Sequence, residues 1–486
     1  MQTVGLAVQA LQTMPSHPYI VEKNPSRNVF RAYDIRGPVS PDALNENLCY
    51  SIGLAVGSES MILGHQQIVT GKDGRLSSPA LYHAFLKGLQ ETGIKIYDIG
   101  LSTSPMLYFA RAHLTLMSAA ILTASHSPKH YNGLKIILNG DTLLDEKIQT
   151  IYQRIKNLAF QTSPAQGIET VDIKPAYIDA IVNKHQLTHP VKIVIDCGNG
   201  AGGVIAPQLY RALGADVISL YESPDGNFPN HHPDPIDIRN LKDLQKAVVQ
   251  HNAECGFAFD GDADRIGIVN RSGDIIVTDR TLMLLADDVL ERSPKNTPMV
   301  FDVKCSDALF KHVQKKGGTP HIWTTGHSRI KKKMQELGAP MAGEMSAHIF
   351  FKDNWIGCDD GILAGARILD ICQKKNLPFS ELIEQYQVGH ISPEIRQTIP
   401  FEKEKHAIIE NLIIHARTIP HIKISTIDGL RVSFDHGWGL IRASLTEPGL
   451  TLRFEGNTAS DLKNIQAQMT FWLHQVLEQY SKSQSS

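Results

Sequence analysis

Residues 191–221 have the sequence VKIVIDCGNGAGGVIAPQLYRALGADVISLY, and they give the clearest indication of the fold. An apolar run, VKIVID, leads through a Gly-rich turn into the helical pattern APQLYRALGA, and a second apolar run, DVISLY, follows. Short runs rich in Val and Ile that alternate with helices are typical of β-α-β units in parallel or mixed sheets. Such sheets bind their ligands at the carboxyl ends of strands, so the stretch predicts an α/β domain with any site at that edge.

Two other stretches open in the same way. QQIVTGKDGR at 66–75 and MVFDVKCS at 299–306 each precede a helical pattern and another apolar run. The chain after about residue 389 differs, because a helical pattern, strand-like runs and a closing helix suit a small α+β domain. We therefore expect three related mixed-sheet α/β domains and a smaller α+β C-terminal domain, at 1–170, 171–274, 275–388 and 389–486.

The composition excludes some classes of function. The 486 residues include 48 Lys and Arg against 50 Asp and Glu, so no overall field attracts nucleic acid or anionic membranes. The six cysteines lack the spacing of zinc sites or disulfide frameworks and are expected to be reduced. No basic, apolar leader opens the sequence, and no apolar run reaches the ~20 residues that span a bilayer. A cytoplasmic protein without nucleic-acid or membrane partners is expected.

The loop ILTASHSPKHYNGLK at 121–135 places two hydroxyls among four basic or titratable groups. A Ser-Pro turn alone would predict only a connection between two elements. Phosphoryl transfer, in contrast, uses a hydroxyl that accepts the phosphoryl group and cations that hold its oxygens. The loop therefore suggests the making and breaking of a phosphoester. Its polar groups are Ser125, His126, Ser127, Lys129, His130 and Lys135.

Three carboxylates, at Asp260, Asp262 and Asp264, follow the strand-like run GFAF. Carboxylates so close together repel one another unless a cation lies between them, and a hard divalent ion prefers such oxygen ligands. An EF-hand is excluded, since it would need Gly and Glu where Arg265 and Arg271 stand. Two alternatives remain, a D-x-D aspartyl nucleophile of the haloacid dehalogenase type and a solvated acidic turn. The apolar runs on both sides favour the metal site.

Two further polar clusters lie in the later parts of the chain. In APMAGEMSAHIFF, three polar residues alternate, so an extended segment would present them on one face toward sugar hydroxyls. In GLIRASLTEP, a guanidinium fork and two hydroxyls suit a phosphate that is not transferred. Each cluster alone would also suit a polar strand edge or a structural turn, but four such loops in order favour sugar-phosphate chemistry. The residues are Glu344, Ser346 and His348, then Arg442, Ser444 and Thr446.

The motifs TASHSPKHYNGLK, DGDADR, GEMSAH and RASLTEP, with FRAYDIRG at 30–37, resemble those of the α-D-phosphohexomutases. The resemblance extends from about Phe30 to the end of the chain and is closest to the bacterial bifunctional phosphomannomutases/phosphoglucomutases. It implies a monomeric four-domain isomerase with a central active-site cleft. It also implies that hexose 6-phosphates and hexose 1-phosphates interconvert through a phosphoserine enzyme and a hexose 1,6-bisphosphate. Mg²⁺ would be the cofactor, and glucose 1,6-bisphosphate the activator.

The resemblance also assigns roles to individual residues. Ser125 would carry the phosphoryl group and would hold Mg²⁺ together with Asp260, Asp262 and Asp264. For the proton that the attacking hydroxyl loses, we favour Lys135 and His348. The other residues expected around the transferred group are Arg36, His126 and Arg265. Those expected to bind substrate are Tyr33, Lys304, His327, Glu344, Ser346, His348, Arg442, Ser444 and Thr446.

Three positions depart from the common family pattern. Ser127 and Leu445 stand where Asn is usual, and Ala347 stands where Gly is usual. Leu445 removes a hydrogen-bond donor from the phosphate loop. Two alternatives follow, namely a family member that acts on an amino-sugar phosphate and a catalytically silent protein that binds sugar phosphates. Because a bisphosphate must turn over within the site, the mutase mechanism also predicts that the last domain opens and closes.

Overall fold

The computed structural model describes residues 18–399, 404–444 and 449–484, and it divides into two compact units. Unit 1 is Met1–Ile276 with Ser346–Leu382, and unit 2 is Val277–Met345 with Ile383–Ser486. In the described residues, no helix has the length and apolar character needed to cross a membrane. The helices are α1 Glu46–Ile62, α2 Ser78–Glu91, α3 Ser104–His113, α4 Glu146–Lys156, α5 Lys174–His185, α6 Ala206–Leu213, α7 Lys242–Gln250, α8 Thr278–Leu290, α9 Asp307–Lys315, α10 His327–Leu337, α11 Gly361–Lys375, α12 Phe379–Ile383, α13 Lys405–Arg417 and α14 Ala459–Gln484.

The first sheet of unit 1 is mixed. Its strands are β1 Ile35–Pro38, β2 Gln67–Lys72, β3 Lys95–Leu101, β4 Ala119–Leu122, β5 Tyr131–Leu138, β6 Asp141–Thr142 and β7 Ile168–Thr170. They lie in the order β1-β5-β4-β2-β3-β7, with β6 beside β5. β2 pairs in parallel with both β3 and β4, whereas β5 is antiparallel to β4 and β1. The loops after β2, β3 and β4 therefore meet at one edge of the sheet.

The second sheet of unit 1 contains the stretch that opened the sequence. Its strands are β8 Lys192–Asp196, β9 Asp216–Leu220, β10 Cys255–Phe259, β11 Ile266–Asn270 and β12 Ile275–Ile276. The order is β12-β11-β10-β8-β9, with β8 parallel to β9 and β10. Every residue of β10 is buried, as expected for a strand covered on both faces. Unit 1 also contains the antiparallel pair β16 Ile349–Phe351 and β17 Cys358–Asp359.

Unit 2 contains parallel strands followed by an antiparallel sheet. The parallel strands are β13 Pro298–Asp302, β14 Thr319–Trp323 and β15 Met341–Gly343, with β13 in the centre. The antiparallel sheet has the order β18-β23-β22-β21-β20, with β19 beside β23. Its core includes apolar side chains of α13 and α14. Its strands are β18 His390–Ile391, β19 Ile395–Gln397, β20 Lys423–Ser425, β21 Leu430–Phe434, β22 Gly437–Ala443 and β23 Leu450–Gly456.

The expected succession of α/β regions and a final α+β region is confirmed. The third α/β region, from β13 to β17, is divided between the two units. One detail of the last region was wrong. The sequence predicted a helix there first, but β18 and β19 come before α13 and pair with β23. Pro393 interrupts this part of the chain and disfavours a helix, because proline lacks the N–H that a helix needs.

The buried carboxyl group of Asp360 gives unit 1 a pH-dependent stability. Burial raises the pKa of Asp360 to about 7, although Leu363 N (2.9 Å) and the Tyr177 hydroxyl (2.9 Å) donate to the carboxylate. The pKa of Asp360 is therefore higher in the folded protein than in the unfolded chain. Its contribution to the free energy of unfolding is complete below about pH 4 and is lost as the pH rises through 7.

We therefore expect Asp360→Asn to flatten the pH dependence of stability. Asn mimics the protonated acid, so the variant should gain up to about 4 kcal/mol relative to the parent between pH 4 and pH 8. Thermal unfolding of both proteins across that range tests this expectation. Parallel curves of melting temperature against pH for the two proteins would contradict it.

Candidate active site

Ser125 lies in the loop after β4 with its hydroxyl directed at the aspartate cluster. Its side chain is buried, and its Oγ donates a hydrogen bond of 2.5 Å to Asp260 Oδ2. The residue has a φ of 49°, a left-handed conformation that is uncommon outside glycine. On the other side of the contact, a Cβ built on Gly261 would lie 2.5 Å from the Ser125 carbonyl oxygen. Only glycine at 261 lets the aspartate loop approach the serine so closely.

The three predicted metal ligands lie together in unit 1. Asp260, Asp262 and Asp264 are fully buried, and each offers a carboxylate oxygen within 4.8 Å of the others. Among the described residues, the Oδ1 atoms of Asp262 and Asp264 accept no hydrogen bond. Burial raises the pKa of Asp260 well above its ordinary value, and the two other aspartates raise it further. Buried oxygens without donors, in an all-carboxylate set, fit a hard divalent cation such as Mg²⁺.

Lys135 on β5 holds the opposite side of this cluster. Its Nζ lies 2.6 Å from Asp262 Oδ2, 2.5 Å from Asp264 Oδ2 and 3.1 Å from Ser104 Oγ. An ammonium group has three N–H donors, so these three acceptors use all of them. Burial lowers the pKa of Lys135, but the two aspartates outweigh burial and hold that pKa well above its ordinary value. Lys135 is thus held as a cation.

Ser104, the first residue of α3, was not predicted as part of this cluster. Its Oγ donates a 2.5 Å hydrogen bond to Asp262 Oδ2, and its backbone N–H donates to the Asp262 carbonyl at 3.1 Å. Ser104 and Lys135 therefore occupy Oδ2 of Asp262 together and leave Oδ1 for another partner. Outer groups of this kind fix the orientation of a ligand carboxylate.

His348 lies beside the aspartates, in a bridge between the aspartate loop and β16. Arg265 Nε donates to His348 Nε2 at 2.9 Å, so this ring nitrogen is the acceptor. The other nitrogen, Nδ1, lies 3.1 Å from Asp359 Oδ2 and 3.5 Å from Asp264 Oδ1. This pattern assigns the ring proton to Nδ1 and leaves Nε2 as the basic atom.

Arg36 contacts the serine loop (residues 121–135) from outside, and His126 of that loop lies near Asp234. Arg36 Nη1 donates to Ser127 Oγ at 2.9 Å, and its Nη2 lies 2.7 Å from Asp34 Oδ2. Ser127, which replaces the usual Asn, thus supplies an acceptor for the arginine. His126 Nδ1 is 3.6 Å from Asp234 Oδ2. Burial and the charge of Arg265 lower the pKa of His126 to about 3. Tyr33 lies near the Arg36 guanidinium, since it acts to raise the pKa of Arg36.

Two further predicted residues are buried cations of unit 2, and each lies beside a carboxylate. Lys304 Nζ lies 3.0 Å from Glu394 Oε2, and Arg442 Nη2 lies 3.0 Å from Asp428 Oδ2. Within the described part of the chain, Arg442 Nε has no hydrogen-bond acceptor. Both side chains are buried. Burial acts to lower the pKa of Lys304, but Glu394 and Asp302 outweigh burial, so the pKa is raised above its ordinary value. Both cations are therefore held by carboxylates within unit 2.

The remaining predicted residues of unit 2 that the structure describes lie at or next to the ends of strands and helices. The Gly326 N–H donates to Glu344 Oε1 at 2.6 Å, and the next residue, His327, begins α10 and is buried. Asp428, the partner of Arg442, accepts from the Thr325 N–H at 3.0 Å. Ser444 is buried at the end of β22. Thr446 and Leu445 lie outside the described residues.

The prediction of one extended face for Glu344, Ser346 and His348 was wrong. Residues 344–347 form a turn, in which Ala347 has a φ of 66°. The unit boundary also falls here, so Glu344 belongs to unit 2 and the two others to unit 1. The left-handed φ explains why glycine is the usual residue where Ala347 stands, since a Cβ is strained in that conformation.

Several residues of the unit 1 site were missed in the sequence. Asp73 and Arg75 follow β2, Ser104 follows β3, and Asp359 ends β17. The sequence did contain a signal for Asp73, Arg75 and Ser104, because polar loops after neighbouring parallel strands meet at one edge of the sheet. Asp359 gave no such signal, since two acidic residues after Cys358 resemble any surface turn.

Models of four successive protein domains match this chain. They are described as domains I, II and III, each alpha/beta/alpha, and the C-terminal domain of phosphoglucomutase/phosphomannomutase. The matched residues are 27–162, 175–273, 278–388 and 397–470. The matches thus extend over most of the sequence.

Individual relatives cover nearly the same length. A phosphomannomutase/phosphoglucomutase of Pseudomonas syringae pv. tomato is 47% identical over 90% of this chain and 93% of its own. A phosphoglucomutase of Neisseria gonorrhoeae is 44% identical over 91% and 95%. The crystal structure of a phosphoglucomutase/phosphomannomutase family protein of Burkholderia thailandensis matches with a TM-score of 0.87 and 40% identity, over 93% and 98% of the two chains. The chain belongs to the phosphoglucomutase/phosphomannomutase family.

Proposed function

We propose that the chain reversibly interconverts the 6-phosphates and 1-phosphates of mannose and glucose, through a phosphoserine at Ser125 and a hexose 1,6-bisphosphate. The observation that carries this proposal is the contact of Ser125 Oγ with Asp260, inside a buried triad of carboxylates. A hydroxyl in that position can carry a phosphoryl group whose oxygens reach a divalent cation. The names of the relatives at 44% and 47% identity support the choice of mannose and glucose phosphates.

The transfer step forms one bond to phosphorus and breaks another. The sugar hydroxyl oxygen bonds to phosphorus, the bond from phosphorus to Ser125 Oγ breaks, and Ser125 regains a proton. Asp260, Asp262 and Asp264 would hold Mg²⁺, which neutralises part of the phosphate charge when it is bound. Arg265, which lies 3.9 Å from Asp260 Oδ2, and Arg36, which donates to Ser127, would stabilise the equatorial oxygens of the transferred group.

His348 is the better candidate for the general base. Its Nε2 accepts a hydrogen bond in the structure and can accept the hydroxyl proton of a substrate instead. Asp359 Oδ2 lies 3.1 Å from Nδ1 and would stabilise the ring once it is charged. Lys135 has all three N–H donors on Ser104, Asp262 and Asp264 and would act as a fixed cation. Of the two groups favoured from the sequence, only His348 has a suitable lone pair.

Unit 2 would bind the end of the substrate that does not react. The buried Lys304 and Arg442 would bind a phosphate together with the buried Ser444. The motif also suggests the hydroxyl of Thr446. Glu344 and His327 would contact the sugar, together with Ser346 of unit 1. The same residues must accept either phosphate of the bisphosphate, because the intermediate turns over between the two transfers.

The proposal predicts a phosphate on Ser125 that the substrate can remove. Purified protein is incubated with glucose 1,6-bisphosphate and Mg²⁺, and its intact mass is measured before and after excess glucose 6-phosphate is added. We expect one added phosphate, located on Ser125 by peptide mapping, that disappears with substrate. In parallel, phosphorus NMR measures how fast the protein converts mannose, glucose and glucosamine phosphates.

Each outcome separates the alternatives. Fast conversion of mannose and glucose phosphates supports the proposal, whereas fast conversion of glucosamine phosphate alone would favour the amino-sugar mutase. Tight binding of sugar phosphates without a phosphoserine and without turnover would favour the catalytically silent protein.

A further inference from the structure

Arg75 contacts the serine loop more extensively than any predicted site residue does. Its Nη2 donates to the carbonyl oxygens of Ser125 at 2.6 Å and Ser127 at 2.7 Å. Its Nη1 donates to the carbonyls of Pro128 at 2.8 Å and Tyr131 at 3.1 Å. The side chain is 2% exposed, so solvent cannot replace these bonds. One guanidinium thus satisfies four carbonyls of a single loop.

Four carbonyl oxygens that point to one place repel one another unless a cation lies between them. The two terminal nitrogens of arginine carry four N–H donors in a fixed plane, and each of these carbonyls takes one. Lysine would bring the charge, but it has three donors on a single atom and cannot reach all four carbonyls. The geometry therefore requires arginine in particular.

Asp73 fixes the arginine and the start of the serine loop. Its Oδ2 lies 3.2 Å from Arg75 Nε and accepts from the Ala124 N–H at 3.4 Å. Its backbone N–H donates to the Leu122 carbonyl at 2.9 Å. The ring of Phe228 lies against the guanidinium, 5.3 Å from centroid to Cζ. The loop after β2 thus holds the residues on both sides of Ser125.

The left-handed backbone of Ser125 is the feature that this arrangement maintains. Its carbonyl lies between Arg75 and Gly261, and its Oγ is thereby directed at Asp260. A non-glycine residue with this φ is strained and persists only where neighbouring contacts hold it. Arg75 supplies a hydrogen bond of 2.6 Å to the Ser125 carbonyl.

We propose that Arg75 is the positioning residue of the phosphorylated serine, which holds the Ser125 backbone so that the phosphoryl group is in line with the attacking hydroxyl. This inference rests on the proposed function. The Arg75 guanidinium binds four carbonyl oxygens of the loop and Asp73, all within unit 1. Its removal should therefore slow transfer without weakening the binding of substrate. A displacement of about 1 Å at a reacting atom can slow a reaction about 100-fold.

The test measures transfer for each phosphorylated molecule. Protein carrying ³²P on Ser125 is mixed with saturating glucose 6-phosphate and Mg²⁺ in a rapid-quench instrument. Arg75→Met and Arg75→Lys are compared with Arg154→Met, which removes an arginine that binds Glu59 and the Ala159 carbonyl elsewhere in unit 1. We expect a decrease of about 100-fold in Arg75→Met, a smaller decrease in Arg75→Lys and no change in Arg154→Met. The half-saturating concentration of glucose 6-phosphate should stay the same.

Counting only phosphorylated molecules removes the effect of misfolded protein. If Arg75→Met folds poorly, the milder Arg75→Lys variant provides the same comparison. Transfer in both Arg75 variants at the parental rate would overturn the inference and leave the mutase activity standing. A parent protein that never accepts phosphate would overturn the proposed function and this inference together.

Discussion

Ser125→Ala is expected to lose the mutase activity by about four orders of magnitude or more, as enzymes do when a covalent nucleophile is removed. Alanine leaves no oxygen to carry the phosphoryl group between the two ends of the sugar. The substitution removes one hydroxyl and its 2.5 Å bond to Asp260, so the buried triad should otherwise keep its structure. Steady-state assays with mannose 1-phosphate and glucose 1-phosphate, each with glucose 1,6-bisphosphate present, measure the loss.

Two comparisons make this result specific. Calorimetric titration should show that Ser125→Ala still binds glucose 1,6-bisphosphate, because Lys304 and Arg442 lie in unit 2 and are unchanged. Ser127→Ala, which removes the neighbouring hydroxyl that Arg36 contacts, should lower the activity less and should still accept phosphate. If Ser125→Ala kept more activity than Ser127→Ala, the nucleophile would have to be sought elsewhere.

The sequence predicted those parts of the site whose chemistry is visible in residue type. Three aspartates after a buried strand and a serine among cations stand out in any context, and the structure brings Ser125, Lys135 and the aspartates together. Arg75 donates to four carbonyls of the serine loop, but nothing in the stretch GKDGR indicates that contact. Its role depends on the directions of four carbonyl groups, which residue type does not encode.

Local conformation was harder to predict than the order of strands and helices. Alternating polar residues suggested an extended segment at 344–348, but the chain turns there, with Ala347 at positive φ. A period of two is short enough to arise by chance in a turn. Likewise, β18 and β19 are two and three residues long, and their pairing with β23 involves residues about 60 positions later. No local pattern specifies such a contact.

Removal of divalent metal is expected to lower the activity by about a thousandfold or more, because the charge on a phosphorylated serine would then face three buried carboxylates. Lys135 alone cannot balance them, and burial together with its neighbours already raises the pKa of Asp260. The protein is treated exhaustively with a chelator, assayed, and assayed again after Mg²⁺ is added. Recovery on addition of Mg²⁺ is expected, and full activity in the metal-free protein would contradict the proposed role of the triad.

A binding measurement decides which carboxylates hold the metal. The described residues contain a second buried group that could do so, made of Asp264, His348 and Asp359. Titration with Mn²⁺, followed by electron paramagnetic resonance, needs no turnover and can compare Asp262→Asn with Asp359→Asn. Because Asp262 Oδ1 is buried without a donor, whereas Asp359 faces the imidazole, we expect weaker binding only in Asp262→Asn. Weaker binding only in Asp359→Asn would instead move the metal to the histidine side and would remove His348 as the base, since its Nδ1 would then be a ligand.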